Sequence, residues 1–315
     1  MMAGIKVAAK VLLAVVGFWL ASFLALRMAR NALYDGSGAS SSLNVAGVAM
    51  TCDAEPAVNR QRMLDVVRTV KTEHPDVDLV MFGEVITGWY SMGGETAAYH
   101  RKIAETIPGA TTALMRDAAR EHRVYLSFGL SEASAESVYN SQVLIDPAGS
   151  IVAVHRKVNL QGSRVFMPGA VPVTMADVKG VRTAIIICSD IQSSQVRKAL
   201  RAGRPQLILG SLANASDPHW FVSGMIAKMC GSWILTANRY GPDGRQFFDG
   251  QMIVADPLGE LRVKAKDSAQ HITYEIRFDE RRSAVRDALR SMYRYESLGI
   301  HLVTAISLLL PAIFR

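Results

Sequence analysis

Cysteine is scarce in this chain: only Cys52, Cys188 and Cys230 occur. Three thiols neither need nor imply a disulfide framework, and their number does not fix the compartment. The seven histidines, His74, His100, His122, His155, His219, His271 and His301, are scattered without the spacing of a metal motif. A glycine-rich phosphate loop of either standard form is also missing, which removes the simplest nucleotide-binding readings. No internal repeat is visible, so a solenoid or propeller is excluded.

What is present is length enough for a full core: 315 residues, half of them hydrophobic. Lysine and arginine outnumber acidic residues 35 to 28, for a formal net charge of +7. The excess is spread along the chain except for Arg281, Arg282, Arg286, Arg290 and Arg294, which precede an apolar tail. A basic stretch leading into an apolar run fits an anionic lipid surface better than a nucleic acid, with a solvated helix face as the plain alternative. No nucleic-acid partner is expected.

Val11 to Leu26 reads VLLAVVGFWLASFLAL, an uncharged run with Lys6 and Lys10 before it and Arg27 and Arg30 after it. Extended back past Lys10, which can snorkel, it approaches the roughly 20 residues of a bilayer crossing. Arginines stand where a signal peptidase would need small residues, so an uncleaved single-pass anchor is expected rather than a removed signal. Basic residues balance across the run, and the catalytic domain is placed on the non-cytoplasmic side. The expected organisation is an anchor over 1–34, a DGSGASSS-type linker over 35–43, a catalytic domain over 44–275 and a basic, apolar helical tail over 276–315. The tail's apolar part, Leu302 to Phe314, is too short to cross comfortably.

Between the ends, short apolar runs alternate with amphipathic stretches, the pattern of an α/β layered domain. Strands are predicted at 44–50, 78–84, 124–130, 141–147, 151–157, 181–188, 206–212, 233–239, 251–257 and 260–264, and helices at 57–73, 110–121, 193–202 and 218–230. The turns DPAGS at 146–150 and DPLGE at 256–260 predict hairpins, so the sheets should be mixed.

Three chemically capable residues end apolar strands. Glu84 closes LVMFGE, where a half-buried carboxylate can serve as a base. Lys157 closes IVAVHRK, where an ammonium can sit beside a developing oxyanion. Cys188 closes TAIIIC just before a helical stretch, whose N-terminus favours thiolate. Each taken singly has a structural explanation; the three together, all at strand ends, point to covalent acyl chemistry. Cys52 and Cys230 are read as structural.

The chain resembles the nitrilase superfamily of carbon-nitrogen hydrolases over about 44–265. The resemblance is carried by DLVMFGEVITGWY, by YNSQVLIDPAGSIVAVHRKVNL and by VRTAIIICSD, with support from Pro168–Gly169, Ala237–Asn238 and GQMIVADPLGEL. It implies a nitrilase-like αββα sandwich in which Cys188 attacks a nitrile or amide carbon, Glu84 shuttles protons and Lys157 steadies the tetrahedral intermediate. It further implies a second oxyanion donor at the Ser189 backbone N–H, a structural role for Asp190, no metal or other cofactor, and a homodimer or larger homo-oligomer. Trp89, Tyr90, Arg164, Ser189, His219 and Trp220 are the candidate substrate-binding residues.

Departures from the family pattern bear on the pocket. Val158 to Met167 lacks the further glutamate many members carry, and Arg164 stands roughly in its place, a charge suited to an anionic substrate or adverse to hydrolysis. IQSSQ at 191–195 replaces the usual FPE, and Gly83 replaces a proline. The leading expectation is a membrane-tethered amidase-like hydrolase of a small or lipid-linked amide. Transfer of the acyl group to an amine, as in the membrane-embedded apolipoprotein N-acyltransferases, and a non-catalytic scaffold are the alternatives.

Overall fold

The computed structural model describes residues 41–215, 219–244, 246–265, 267–268 and 270–278, with 16–18 and 21. The rest of the expected anchor, the linker up to 40, the arginine-rich stretch and the apolar tail lie outside the described residues. Among the described residues no helix is long and apolar enough to cross a membrane.

Along the chain, β1 (Ser41–Ala49), α1 (Pro56–Glu73), β2 (Leu79–Met81), α2 (Thr96–Ile103), α3 (Ala110–His122), β3 (Tyr125–Ser134), β4 (Ser137–Ile145) and β5 (Ile151–Arg156) form a first half. There follow β6 (Thr174–Val178), β7 (Val181–Ile187), α4 (Ser194–Gly203), β8 (Leu207–Ser211), α5 (His219–Cys230), β9 (Trp233–Ala237), β10 (Tyr240–Asp243), β11 (Gln246–Asp249), β12 (Met252–Ala255), β13 (Leu261–Ala265) and β14 (Gln270–Phe278). Two six-stranded sheets result, ordered β14-β1-β2-β3-β4-β5 and β13-β12-β9-β8-β7-β6, with β10 and β11 as a separate ribbon. In each sheet three parallel strands joined by helices, β1-β2-β3 or β7-β8-β9, are extended by antiparallel ones. The sheets are therefore mixed, as the hairpin turns require.

Both hairpins use the same device. In DPAGS, Asp146 Oδ1 accepts from the N–H groups of Ala148 and Ser150, and Gly149 takes φ +79°. In DPLGE, Asp256 Oδ1 accepts from Leu258 and Glu260, and Gly259 takes φ +82°. Aspartate satisfies the turn amides and glycine supplies the left-handed residue.

Burial on both faces of the central strands makes the layers. Helix α1 begins with Pro56, whose missing N–H costs nothing at a helix start, and buries Asn59, Met63, Val67 and Val70 along one stripe. Met63, Val67 and Val70, with Met115, Ala118 and Ala119 of α3, pack on Ala46, Val48, Val80, Leu126 and Phe128 of the first sheet. Val196 and Leu200 of α4 and Ile226, Ala227 and Cys230 of α5 cover Ala184, Ile186, Ile208 and Ile234 of the second. The alternate residues, Val45, Leu79, Met81, Ile185, Ile187, Leu207, Leu209 and Leu235, are also buried and point the other way, sheet against sheet. A Cβ added at Gly47 of β1 would lie 3.1 Å from the Thr236 carbonyl of β9. Truncating a fully buried side chain such as Met63 or Phe128 to alanine costs about 2–5 kcal/mol in such a core.

Expectation and structure differ at weakly patterned segments. β2 ends at Met81, although Phe82 N still donates to the Ser127 carbonyl and Gly83 O accepts from Gly129 N before Glu84 N turns to Leu212 of the other sheet. β6 is an edge strand of mostly half-buried residues, and β10-β11 pair through a segment of glycine, proline and aspartate that reads as loop. β14 and the eight-residue helix α2 likewise carry too little periodicity to be read beforehand.

Candidate active site

Glu84 lies just beyond β2, Lys157 is the first residue after β5, and Cys188 is the first after β7. The fold brings these chain-distant strand ends together. Lys157 Nζ donates to Glu84 Oε1 at 2.6 Å, with both side chains buried. The same oxygen accepts from Asn140 Nδ2 at 2.6 Å and from the Tyr90 hydroxyl at 3.2 Å. Glu84 Oε2 is buried with no hydrogen-bond partner among the described residues. One carboxylate oxygen is thus pinned by three donors while the other is left to exchange a proton.

Cys188 is half-buried, whereas Cys52 and Cys230 are buried. It opens a short 3-10 turn, Cys188–Gln192, with φ +44°. A left-handed conformation at a non-glycine residue costs about 1–2 kcal/mol and turns the thiol off the line of β7. Burial pushes the Cys188 thiol up to about 12 and the Glu84 carboxylate adds to the rise, against the Lys157 ammonium and the Ala213 backbone N–H. The resting group is a thiol, in need of a base. Burial alone pulls Lys157 downward, yet the Glu84 carboxylate bonded to it carries it above its ordinary value, so it stays an ammonium. Burial, then Glu84, raises the Tyr90 hydroxyl and keeps it a neutral donor.

Two polar clamps hold this arrangement. Asp190, completely buried, accepts from Val158 N and Asn159 N at 2.8 Å through Oδ1 and from Ile187 N at 3.0 Å through Oδ2. His155 Nε2 lies 3.0 Å from Oδ2, and since a carboxylate only accepts, that nitrogen carries the proton. Asn159 Nδ2 donates to the Ser189 carbonyl at 2.8 Å, and Ser189 Oγ donates to the Asn159 carbonyl at 2.6 Å. The residues following Lys157 are thereby tied to those around Cys188.

The second clamp grips the Glu84 side. Arg239, buried after β9, donates to the carbonyls of Glu84 at 3.1 Å and Gly88 at 2.7 Å, bonds Val85, and pairs with Asp243. Asp243 in turn accepts from Tyr90 N at 2.8 Å. Glu84 N donates to the Leu212 carbonyl at 3.0 Å, joining the two sheets at the site. Close approach explains the glycines here. A Cβ at Gly83 would meet the Asn238 backbone at 2.8 Å, and one at Gly129 would meet Val85 N at 2.5 Å.

The candidate binding residues separate. Tyr90 reaches the site through Glu84. Ser189 has its hydroxyl locked by Asn159, leaving its backbone as the part next to Cys188. Trp89 instead donates its indole N–H to the Cys52 carbonyl at 3.1 Å and packs on the first-sheet core. Arg164 is exposed on the 161–164 loop. Trp220, on α5, stacks edge-on with Phe221 and lies 5.1 Å under Lys264 of β13, four strands from β7. His219 starts α5, and its side chain lies outside the described residues. Asn140, Asn159, Arg239 and Asp243 were not singled out from sequence, although Asn140 belongs to the YNSQ segment and Arg239 follows the Ala237–Asn238 pair.

The profile of the carbon-nitrogen hydrolase family matches residues 44–286. Over 244 residues the chain is 30% identical to an (R)-stereoselective amidase of Pseudomonas sp, covering 75% of this chain and 85% of that protein. It is 25% identical over 222 residues to a nitrilase of Pyrococcus abyssi, covering 69% and 82%. In fold it is similar to Saccharomyces cerevisiae Nit3, with a TM-score of 0.68 at 19% identity over 81% of this chain and 95% of that one. With a glutamate, a lysine and a cysteine gathered at the strand ends of a mixed-sheet α/β fold, and with these relatives, the chain belongs to the carbon-nitrogen hydrolase family and is a hydrolase of its amidase/nitrilase type.

Proposed function

We propose that Cys188, Glu84 and Lys157 hydrolyse the carbon-nitrogen bond of a small or lipid-linked amide through a thioester. The observation that carries this is the asymmetric Glu84 carboxylate: Oε1 held by Lys157, Asn140 and Tyr90, Oε2 unpartnered and buried. Oε2 takes the Cys188 proton as sulfur attacks the carbonyl carbon. The oxyanion that forms is met by the Lys157 ammonium and the Ser189 N–H. Collapse expels the amine, which leaves with the proton from Glu84. Water, deprotonated by the same carboxylate, then adds to the thioester and releases acid and free thiol.

The uncharged run 11–26, flanked by Lys6, Lys10, Arg27 and Arg30, supports a tether that brings the domain to a membrane. Exposed Trp220, Phe221 and Met225 on α5 support the expected self-association.

The test is acylation of the full chain by p-nitrophenyl acetate, read as a p-nitrophenol burst and by mass spectrometry of the adduct. Acetyl on Cys188, absent in Cys188→Ala and formed about 100-fold more slowly in Glu84→Gln, is the expected result. Hydroxylamine should divert the thioester to a hydroxamate, and efficient capture by simple amines at low concentration would favour acyl transfer over hydrolysis. No adduct at Cys188, with the other two cysteines equally unreactive, would overturn the catalytic assignment.

A further inference from the structure

Far from the triad, two imidazoles and a carboxylate meet where α1 ends. Glu73 is the last residue of α1, His74 caps it, and His271 lies at the start of β14. His271 Nε2 is 3.2 Å from Glu73 Oε2, and the two imidazole rings stand edge-on with centroids 5.7 Å apart. One ligand atom from each of the three lies within 4.8 Å of the others.

We propose that Glu73, His74 and His271 form a structural site for a zinc-class divalent cation. Two imidazole nitrogens and one carboxylate oxygen are the donor set that zinc, cobalt and their neighbours prefer. Around a tetrahedral ion with bonds of about 2.0–2.2 Å, ligand atoms are separated by about 3.4 Å. The Glu73–His271 pair is already near that spacing, and His74, within 4.8 Å, needs to close by at most about 1.4 Å, within reach of a half-exposed side chain. Water would complete the shell.

The position assigns the role. His74 precedes β2 and Glu84 follows it, so the triad and this cluster occupy opposite ends of the first sheet. β14 is that sheet's edge strand. A bound cation would fasten the edge strand to the end of α1, adding to the Glu73–His271 contact already there, without entering the reaction.

The experiment uses the full chain without a polyhistidine tag, titrated with cobalt(II) chloride and then zinc chloride. At a concentration about 100-fold above the dissociation constant, each ion should raise the unfolding midpoint by about 5 °C. Cobalt should add the visible absorption of a nitrogen- and oxygen-ligated site. His74→Ala and His271→Ala should each weaken binding by about 100-fold or more, since even outer-shell changes at metal sites cost 10–100-fold. Cys188→Ala should retain it, which separates this site from thiolate binding of zinc. Stabilisation of the wild type that persists in His271→Gln, or no stabilisation at all, would overturn the proposal and leave Glu73–His271 a simple ion pair.

Discussion

Replacing Asp190 by asparagine removes one charge and one acceptor from the clamp that joins the Lys157 and Cys188 loops. The single amide oxygen can keep the Val158 and Asn159 N–H groups, both at 2.8 Å. Its NH2 then faces Ile187 N and His155 Nε2, two donors. His155 can move its proton to Nδ1 and accept, but the Ile187 N–H has no such recourse and is left buried and unsatisfied. An orphaned buried donor costs about 1–3 kcal/mol, and converting the other charge-assisted bonds to neutral ones costs about 1 kcal/mol each. With Val158, Asn159 and His155 as the three bonds converted, the sum is about 4–6 kcal/mol, a large part of the 5–15 kcal/mol a domain possesses. Urea unfolding followed by tryptophan fluorescence should show the midpoint falling at unchanged slope. Turnover at temperatures where the variant is folded should also drop, because both reacting loops lose their common anchor. A loss below about 1 kcal/mol would refute the clamp as a source of stability.

Glu84→Gln should lower amide turnover by about 10²–10⁴-fold and slow alkylation of Cys188 by iodoacetamide at pH 8 as well, because a thiol held up chiefly by burial needs a base; alkylation at the wild-type rate would contradict Glu84 as the group that takes its proton. Burial raises Cys52 from 9.0 to about 11 and Cys188 from 9.0 to about 12, so above pH 9 the unfolded chain sheds these protons before the folded one. Stability should therefore fall as pH rises from 9 to 12, and Cys52→Ala should flatten that slope in pH-dependent melts; an unchanged slope would exclude Cys52 as a source. Arg239→Ala should destabilise the fold by about 3–5 kcal/mol in urea titrations, because it strips three backbone carbonyls and Asp243 of a buried partner. Unaltered stability would show that the loop after Glu84 is held by other contacts.

Much of the site was legible because its chemistry sits where apolar strands stop. Runs such as LVMFG, IVAVHR and TAIII demand burial, and a charged or nucleophilic residue at their ends is placed at a sheet edge whatever the topology. The D-P-x-G turns are equally local, each satisfied by its own aspartate and glycine. The repeated plan of the two sheets was not legible: it is a repeat of topology, carried by differing residues.

Residue order alone specifies ten of the fourteen described strands, two hairpin turns and the three strand-end groups, since period, turn chemistry and apolar runs act over a few neighbouring positions. Only tertiary structure decides that Asn140 rather than an acid meets Glu84 and that Trp89 serves the core while Tyr90 serves the site. It also brings His74 to His271 despite the absence of any metal spacing in the chain. Apart from Tyr90 and Glu84, six positions apart, those contacts join residues 37 to 197 positions apart, and such partners are chosen by how sheets and helices pack, an outcome no local pattern encodes.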